Sequence, residues 1–472
     1  MRASPHFLSL ALIAFSLSSC VVGNISDSDG KSFSNESVSS SISDSSSEVD
    51  DVLRLVANSD DEDRMEKIIR LFNQEYPDIK VECMCGTDYM TMLDTKSPAD
   101  LIYEGNVSLT TVKHLFCDLN EVLSAEFPSE GEYSEFTSQF ASASIDSMRR
   151  DGKLLMLPVT CNISLFYYNK TIFDKNKSKV IDALNSDPDR KAKLTYDDSC
   201  YPNDTWTWDD YQNVGVALTV VEDGAIKQWG STTISNWWGE YLIYIRQAGG
   251  DFFKQDGVTP DFDSDAFKTA MEFMKSKVSG EKKFAPNPFS TAGGNDELGG
   301  FNGGKTAMVM GGHTGNWYSY NQLSFDWDAA PLPRPKKADG TIDAEARGGE
   351  LASEGYGIYS GSKHKSEAAK FLKFLYSDEA LKVNAKVGKL TPTTSYRAIL
   401  EEAGATGLPN LDAVYTEMAR AMPLPEHQYF SGAAQEPFTS KMGKYFKDEY
   451  ATFDDFVTDV TNSVNTYLNS QL

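Results

Sequence analysis

The sequence predicts an α/β fold built as two lobes, and three observations carry that reading. Strand-like and helix-like segments alternate from the first ordered residues onward, the signature of a parallel sheet with helices on its faces. About 420 residues remain after the N-terminal tract, too many for one ordinary core. A long apolar extended run between Gly152 and Lys170 is suited to a strand that crosses between lobes.

The first strand is expected at Val52-Leu53-Arg54-Leu55-Val56, running into Asn58-Ser59-Asp60-Asp61. Met65, Ile68, Ile69 and Phe72 then recur at helical spacing. The helix stops before Pro77, and Ile79-Lys80-Val81-Glu82-Cys83 reads as the second strand. Ala99 to Tyr103 gives a third, with a turn at Glu104-Gly105-Asn106. In such sheets ligands sit beyond the carboxyl ends of the strands, the positions of Asp60, Asp61 and Glu104. Further on, Thr207 or Asp209 is expected to cap a helix, as is Asp263-Ser264 ahead of Phe267, Ala270, Met271 and Met274. Ala368, Phe371, Leu372 and Leu375 mark a later helix. Phe453, Phe456, Val457, Val460, Val464 and Tyr467 stripe the last one.

The N-terminus is expected to lie outside the fold. Arg2, an apolar run from Phe7 to Leu17 and small residues thereafter make a secretory signal over residues 1–20. Leu17-Ser18-Ser19-Cys20 resembles the bacterial lipobox, which implies that Cys20 carries lipid and anchors the protein to the outer face of the cytoplasmic membrane. The alternative is an ordinary signal with an incidental cysteine. Residues 21–50, rich in serine, hold too few apolar side chains to offset the entropy of ordering and should form a disordered tether.

The net charge of −25 argues against a nucleic-acid partner, whose phosphates call for Lys and Arg. Seven Trp and 22 Tyr are a mild enrichment that suits stacking on carbohydrate. Beyond Cys20 stand Cys83, Cys85, Cys117, Cys161 and Cys200, an odd number that cannot pair fully within one chain. Cys83-Met84-Cys85 is too tight for a zinc knuckle, leaving buried thiols with room for one disulfide.

Two motifs mislead. Gly299 to Thr306 spells the G-x-x-x-x-G-K-[ST] phosphate loop, yet a polar glycine-rich stretch precedes it and a strand-like run, Thr306 to Gly312, follows. Phosphate binding needs a helix N-terminus there. Asp261, Asp263, Asp265 and Glu272 fall at calcium-loop positions, but Ala266 stands where the sharp turn needs Gly. Helix capping accounts for those carboxylates.

Phe72-Asn73-Gln74-Glu75-Tyr76-Pro77-Asp78-Ile79-Lys80-Val81, Gly152 to Lys170, Trp206-Thr207-Trp208-Asp209, Phe301-Asn302-Gly303-Gly304-Lys305-Thr306-Ala307-Met308 and Ala368 to Ser377 come in an order that resembles family 1 of the bacterial extracellular solute-binding proteins, the group of maltodextrin-binding protein. The resemblance implies a periplasmic-binding-protein-like fold whose cleft lies between lobes joined by crossing strands. It places residues 51–160 and about 328–380 in an N-terminal lobe, with 161–327 and about 381–472 in a C-terminal one. A solute would be captured by closure and delivered to the transmembrane subunits of an ABC importer. No cofactor, metal or enzymatic activity is expected, and the protein should be a monomer.

Candidate cleft residues follow from chemistry. Trp237 and Trp238 could stack on a pyranose, or pack into the core as Trp often does. Trp317 and His313 follow glycines that bring backbone close to a ligand; a lone surface histidine is the alternative. Glu350 could accept sugar hydroxyls beside Tyr356, or be a solvated charge. Asn162, in the crossing segment, could both donate and accept, or satisfy hinge backbone. Asp60, Asp61 and Glu104 complete the set. A polyamine- or peptide-binding protein of the same fold is the competing reading. An exported glycoside hydrolase is a further one, disfavoured by the lack of an eightfold strand–helix series. Five His in the chain, one of them in the signal, make a metal solute a poor fit.

Overall fold

The computed structural model describes residues 51–93, 95, 97–190, 192–195, 197–233, 238–289, 298–403 and 409–471. Its strands are β1 (Val52–Ala57), β2 (Lys80–Cys85), β3 (Leu101–Gly105), β4 (Arg149–Arg150), β5 (Lys153–Leu154), β6 (Leu157–Asn169), β7 (Val220–Glu222), β8 (Ala225–Ser231), β9 (Thr306–His313), β10 (Trp327–Ala330), β11 (Glu350–Ile358) and β12 (Met422–Pro423). Ten of them form one curled sheet in the order β2-β1-β3-β11-β6-β9-β8-β7, with β10 on β6 and β12 on β11. The pairs β1–β2, β1–β3 and β8–β9 are parallel, as the strand–helix–strand alternation requires.

Two strands tie the halves of this sheet together. β6 is 13 residues long and buried at all but Asn162, because both of its faces are covered. Its first half pairs with β11 and its second half with β9 and β10. β11 in turn pairs with β3 on its other side, Tyr356 opposite Tyr103. The register of β11 against β6 slips between Glu354 and Gly355. A Cβ at Gly355 would lie 2.1 Å from the Leu157 carbonyl oxygen, so only glycine lets the two crossing strands approach there.

Helices cover the faces. Glu62–Glu75 buries Met65, Ile68 and Phe72, whose ring meets Phe371 and Phe374 edge-on at 5.0 and 5.4 Å. Trp208–Leu218 starts with a full capping box between Thr207 and Asp210. Ser264 caps Asp265–Val278, which places Glu272 in a helix rather than in a calcium loop. The phosphate-loop spelling runs through turns into β9, with no helix after it.

Three apolar clusters result. The first joins β1–β3 with residues up to Val159 and with Tyr356 to Ala380. The second gathers Phe166 to Leu332 with Leu424 to Leu468. The third lies along the crossing strands and takes in Ile163, Tyr167, Trp317, Leu351 and Leu381 to Ala421. Residues beyond about 380 are thus divided between the last two, and Ala330 and Leu332 pack with the second. Cys83 and Cys85 are joined by a disulfide; Cys117, Cys161 and Cys200 are free thiols.

Candidate functional site

The carboxyl ends of β1, β3 and β9 and the middle of the crossing strands hold most of the chemistry-bearing side chains picked out in the sequence. After β1 the chain makes a single 3-10 turn, Ser59–Asp61. Asp60 is exposed there, whereas Asp61 turns inward and is buried. Its carboxylate takes the Arg64 guanidinium at 2.8 and 2.9 Å and the Lys389 ammonium at 3.3 Å. Burial works to raise the Asp61 carboxyl, but the bonds and charge of Arg64 and Lys389 outweigh it and hold it below the usual range. Arg64 also donates to Asn384 Oδ1 at 2.8 Å, so Asp61 ties the β1 loop to the helix Asp378–Lys386.

Glu104, at the end of β3, is half-buried and held at both oxygens. Oε1 accepts the Gly105 amide and the Ser108 hydroxyl, each at 2.8 Å, and Oε2 accepts the Tyr89 hydroxyl at 3.0 Å. Next to it Tyr103 donates to Glu354 Oε2 at 2.9 Å, and its ring lies 5.1 Å from that of Tyr356. Tyr356 is buried beneath this layer, and burial drives its phenol far above the ordinary value. Asn106 clamps β3 to β11: its amide donates to the Ser353 carbonyl and its Oδ1 accepts the Ser353 amide.

At the centre of the sheet, His313 ends β9 and Glu350 begins β11, and Nε2 of the first contacts Oε1 of the second. Glu350 is 1% exposed and its other oxygen, Oε2, has no hydrogen-bond partner. A buried carboxylate with one bare oxygen carries a desolvation cost that a donor on an incoming molecule would relieve. Ser164 of β6 stands in register with His313, and its Oγ also lacks a partner. Asn162, two residues earlier and half-buried, accepts from the Thr314 hydroxyl at 3.3 Å. His313, Ser164, Glu350 and Asn162 thus make a polar centre on three adjacent strands.

The tryptophans are placed differently. Trp317 is buried and its indole donates to the Tyr167 hydroxyl at 2.8 Å, which in turn donates to the His313 carbonyl at 3.2 Å. It therefore braces the backbone under His313. Trp238 is buried too, edge-on to Phe430 at 4.8 Å. Trp237 lies outside the described residues, as does Cys20.

Several side chains join these positions with little warning in the sequence. Ser164 shares the crossing segment with Thr160, and nothing in the sequence singles out one hydroxyl over the other. The segment after β12 brings His427 against Phe253 in a stacked contact at 4.9 Å, and Glu426 offers its carbonyl to the Thr110 hydroxyl at 3.1 Å. Burial lowers the His427 imidazole, and its Nδ1 accepts the Tyr429 amide, as a neutral ring can.

The chain belongs to the bacterial extracellular solute-binding proteins, whose family profile matches residues 57–382. Members of this family are binding proteins rather than enzymes. Solved structures repeat the two-lobed α/β architecture. The ABC substrate-binding protein Lmo0181 of Listeria monocytogenes, in complex with cycloalternan, is 19% identical with a TM-score of 0.65, over 88% of this chain and 98% of that one. The cyclic α-maltosyl-1,6-maltose-binding protein of Arthrobacter globiformis is 18% identical with a TM-score of 0.66, over 89% and 99%. The maltose/maltodextrin-binding domain of Bdellovibrio bacteriovorus, bound to maltotriose, is 18% identical with a TM-score of 0.59, over 88% and 99%. No curated protein sequence matches the chain.

Proposed function

We propose that this protein captures a carbohydrate between two lobes and hands it to the membrane subunits of an ABC importer, held at the cell surface by lipid on Cys20. The observation that carries the sugar reading is the polar centre on β6, β9 and β11. Glu350 with its bare oxygen, His313, Ser164 and Asn162 offer mixed donors and acceptors of the kind hydroxyl groups need. Asp60 and Glu104 stand at the strand ends on one side of it, and Trp237 is retained as the stacking platform. In this reading Trp317, Trp238 and Tyr356 support the walls from behind, and Asp61 fixes the loop that presents Asp60. The three structural neighbours carry sugars as their named ligands, which supports the same class.

The lobes follow the apolar clusters: the first cluster is the core of the N-terminal lobe, the second that of the C-terminal lobe, and the third the floor between them. A polyamine is the second reading, favoured by the buried Glu350 carboxylate, which would suit an ammonium group as well as a hydroxyl. A thermal-shift screen of the full chain against mono- and oligosaccharides, polyamines and peptides separates them. Stabilisation by one sugar class without turnover is the expected result. Stabilisation by polyamines or peptides alone would overturn the sugar assignment and keep the fold.

A further inference from the structure

We propose that the Cys83–Cys85 disulfide is a thiol–disulfide exchange site, open to small uncharged or cationic thiols through a surface cavity at the edge of the sheet. The bond joins two residues of β2 across Met84 alone. A disulfide's stabilisation grows with the logarithm of the chain length it closes, so a loop of one intervening residue puts this bond at the bottom of the usual range. The strand is already held by its neighbour, Leu55 opposite Cys83 and Ala57 opposite Cys85. A structural staple is therefore a poor account of this pair.

Its position favours reactivity. Among the described residues β2 pairs with β1 alone, so its outer edge is open. Cys83 and Cys85 are both partly exposed, in contrast to the buried Cys161 and Cys200. Cys83 also lines a surface cavity of about 410 Å³ with Glu62, Glu66, Ile69, Arg70 and Val81. The hollow is open to solvent, so a small thiol can enter it. Two carboxylates against one guanidinium give the cavity a net negative lining, which repels anionic thiols.

The exchange needs no group beyond the incoming reagent. A thiolate in the cavity attacks Cys83 Sγ, the S–S bond breaks, and Cys85 leaves as a thiolate that is protonated by water. A second thiol attacks the mixed disulfide, releasing Cys83 and the oxidised reagent. One protein disulfide is reduced and two reagent thiols become one disulfide.

The test treats the full chain under native conditions with dithiothreitol, cysteamine or glutathione, followed by alkylation and peptide mapping. Dithiothreitol should free Cys83 and Cys85 while Cys161 and Cys200 stay unlabelled and the melting temperature is kept. Cysteamine should form its mixed disulfide on Cys83 and react at least several-fold faster than glutathione, per unit of thiolate. Reduction that occurs only together with unfolding would overturn the proposal. Equal rates for cysteamine and glutathione would overturn the route through the cavity. The C83S/C85S variant should melt within about 2 °C of the parent, and a loss of more than about 10 °C would restore the structural reading.

Discussion

Glu350 shows what a single side chain can decide. It lies at the junction of two crossing strands, one oxygen on His313 and the other bare. Glu350→Gln keeps the shape and removes the charge. If the bare oxygen accepts a sugar hydroxyl, a charge-assisted bond worth about 1.5–3 kcal/mol is weakened. The dissociation constant read by calorimetry should then rise about 10- to 100-fold; an unchanged constant removes Glu350 from the site. Glu417, near the same junction, makes a second prediction. It is buried, its Oε1 accepts the Leu332 amide at 3.2 Å, and Arg420 lies at 3.6 Å. Burial raises its carboxyl to about 7, against the pull of Arg420 and Arg334. The protonated form therefore favours the fold. That contribution is complete below the unfolded value of about 4.3 and is lost as pH rises through about 7. Glu417→Gln, which keeps a neutral acceptor, should gain on the parent between pH 5 and pH 8, by up to about 3 kcal/mol. Paired denaturation curves check this, and a difference that stays flat with pH would show that Glu417 does not titrate in that window.

At the scale of elements, local chemistry was readable wherever it was short-range. Thr207 and Ser264 cap helices by bonds that reach three residues, so spacing announces them; Asp209, the alternative to Thr207, lies inside the first turn instead. Thr207→Ala should cost about 1 kcal/mol in chemical denaturation, through loss of the capping box. A cost near zero would mean the Trp208 helix is held by packing alone. The first three strands and the helix between β1 and β2 were legible for a similar reason: apolar periodicity and Pro77 bound them. The site was legible only in part, because what closes it is long-range. His313 meets Glu350 across 37 residues, and Asp61 meets Lys389 through the fold. A sequence shows that Trp317 follows glycines. It does not show that the indole turns inward onto Tyr167, which depends on a strand 150 residues away. Cys83 and Cys85 lie on one face of β2 because side chains alternate along a strand, so their joining is local, and the spacing alone leaves open which cysteines pair.

For the whole molecule, the proposed capture by closure requires a motion that the crossing strands must allow. Close-packed clusters resist deformation, so under the proposed closure bending should concentrate where β6 passes from the first cluster, which ends on it at Val159, to the third, which begins at Cys161, and where β11 passes between the same two, from Leu351 to Tyr356. Gly355 and the slipped register at Glu354 put an irregular pairing early in β6, opposite Pro158 and Thr160. A solute can shift the balance of open and closed forms only by its differential affinity for them. A sugar bound to both walls favours the closed form, whereas one resting on a single wall leaves the balance unchanged. At a hundredfold excess over the dissociation constant, binding adds about 2.7 kcal/mol to stability in either case. Small-angle scattering separates the two. The radius of gyration of the full chain should fall when the sugar identified by thermal shift is added, and Glu350→Gln should need more sugar for the same fall. A sugar that raises the melting temperature while leaving the radius of gyration unchanged would mean that capture occurs on one lobe, and closure would have to be abandoned.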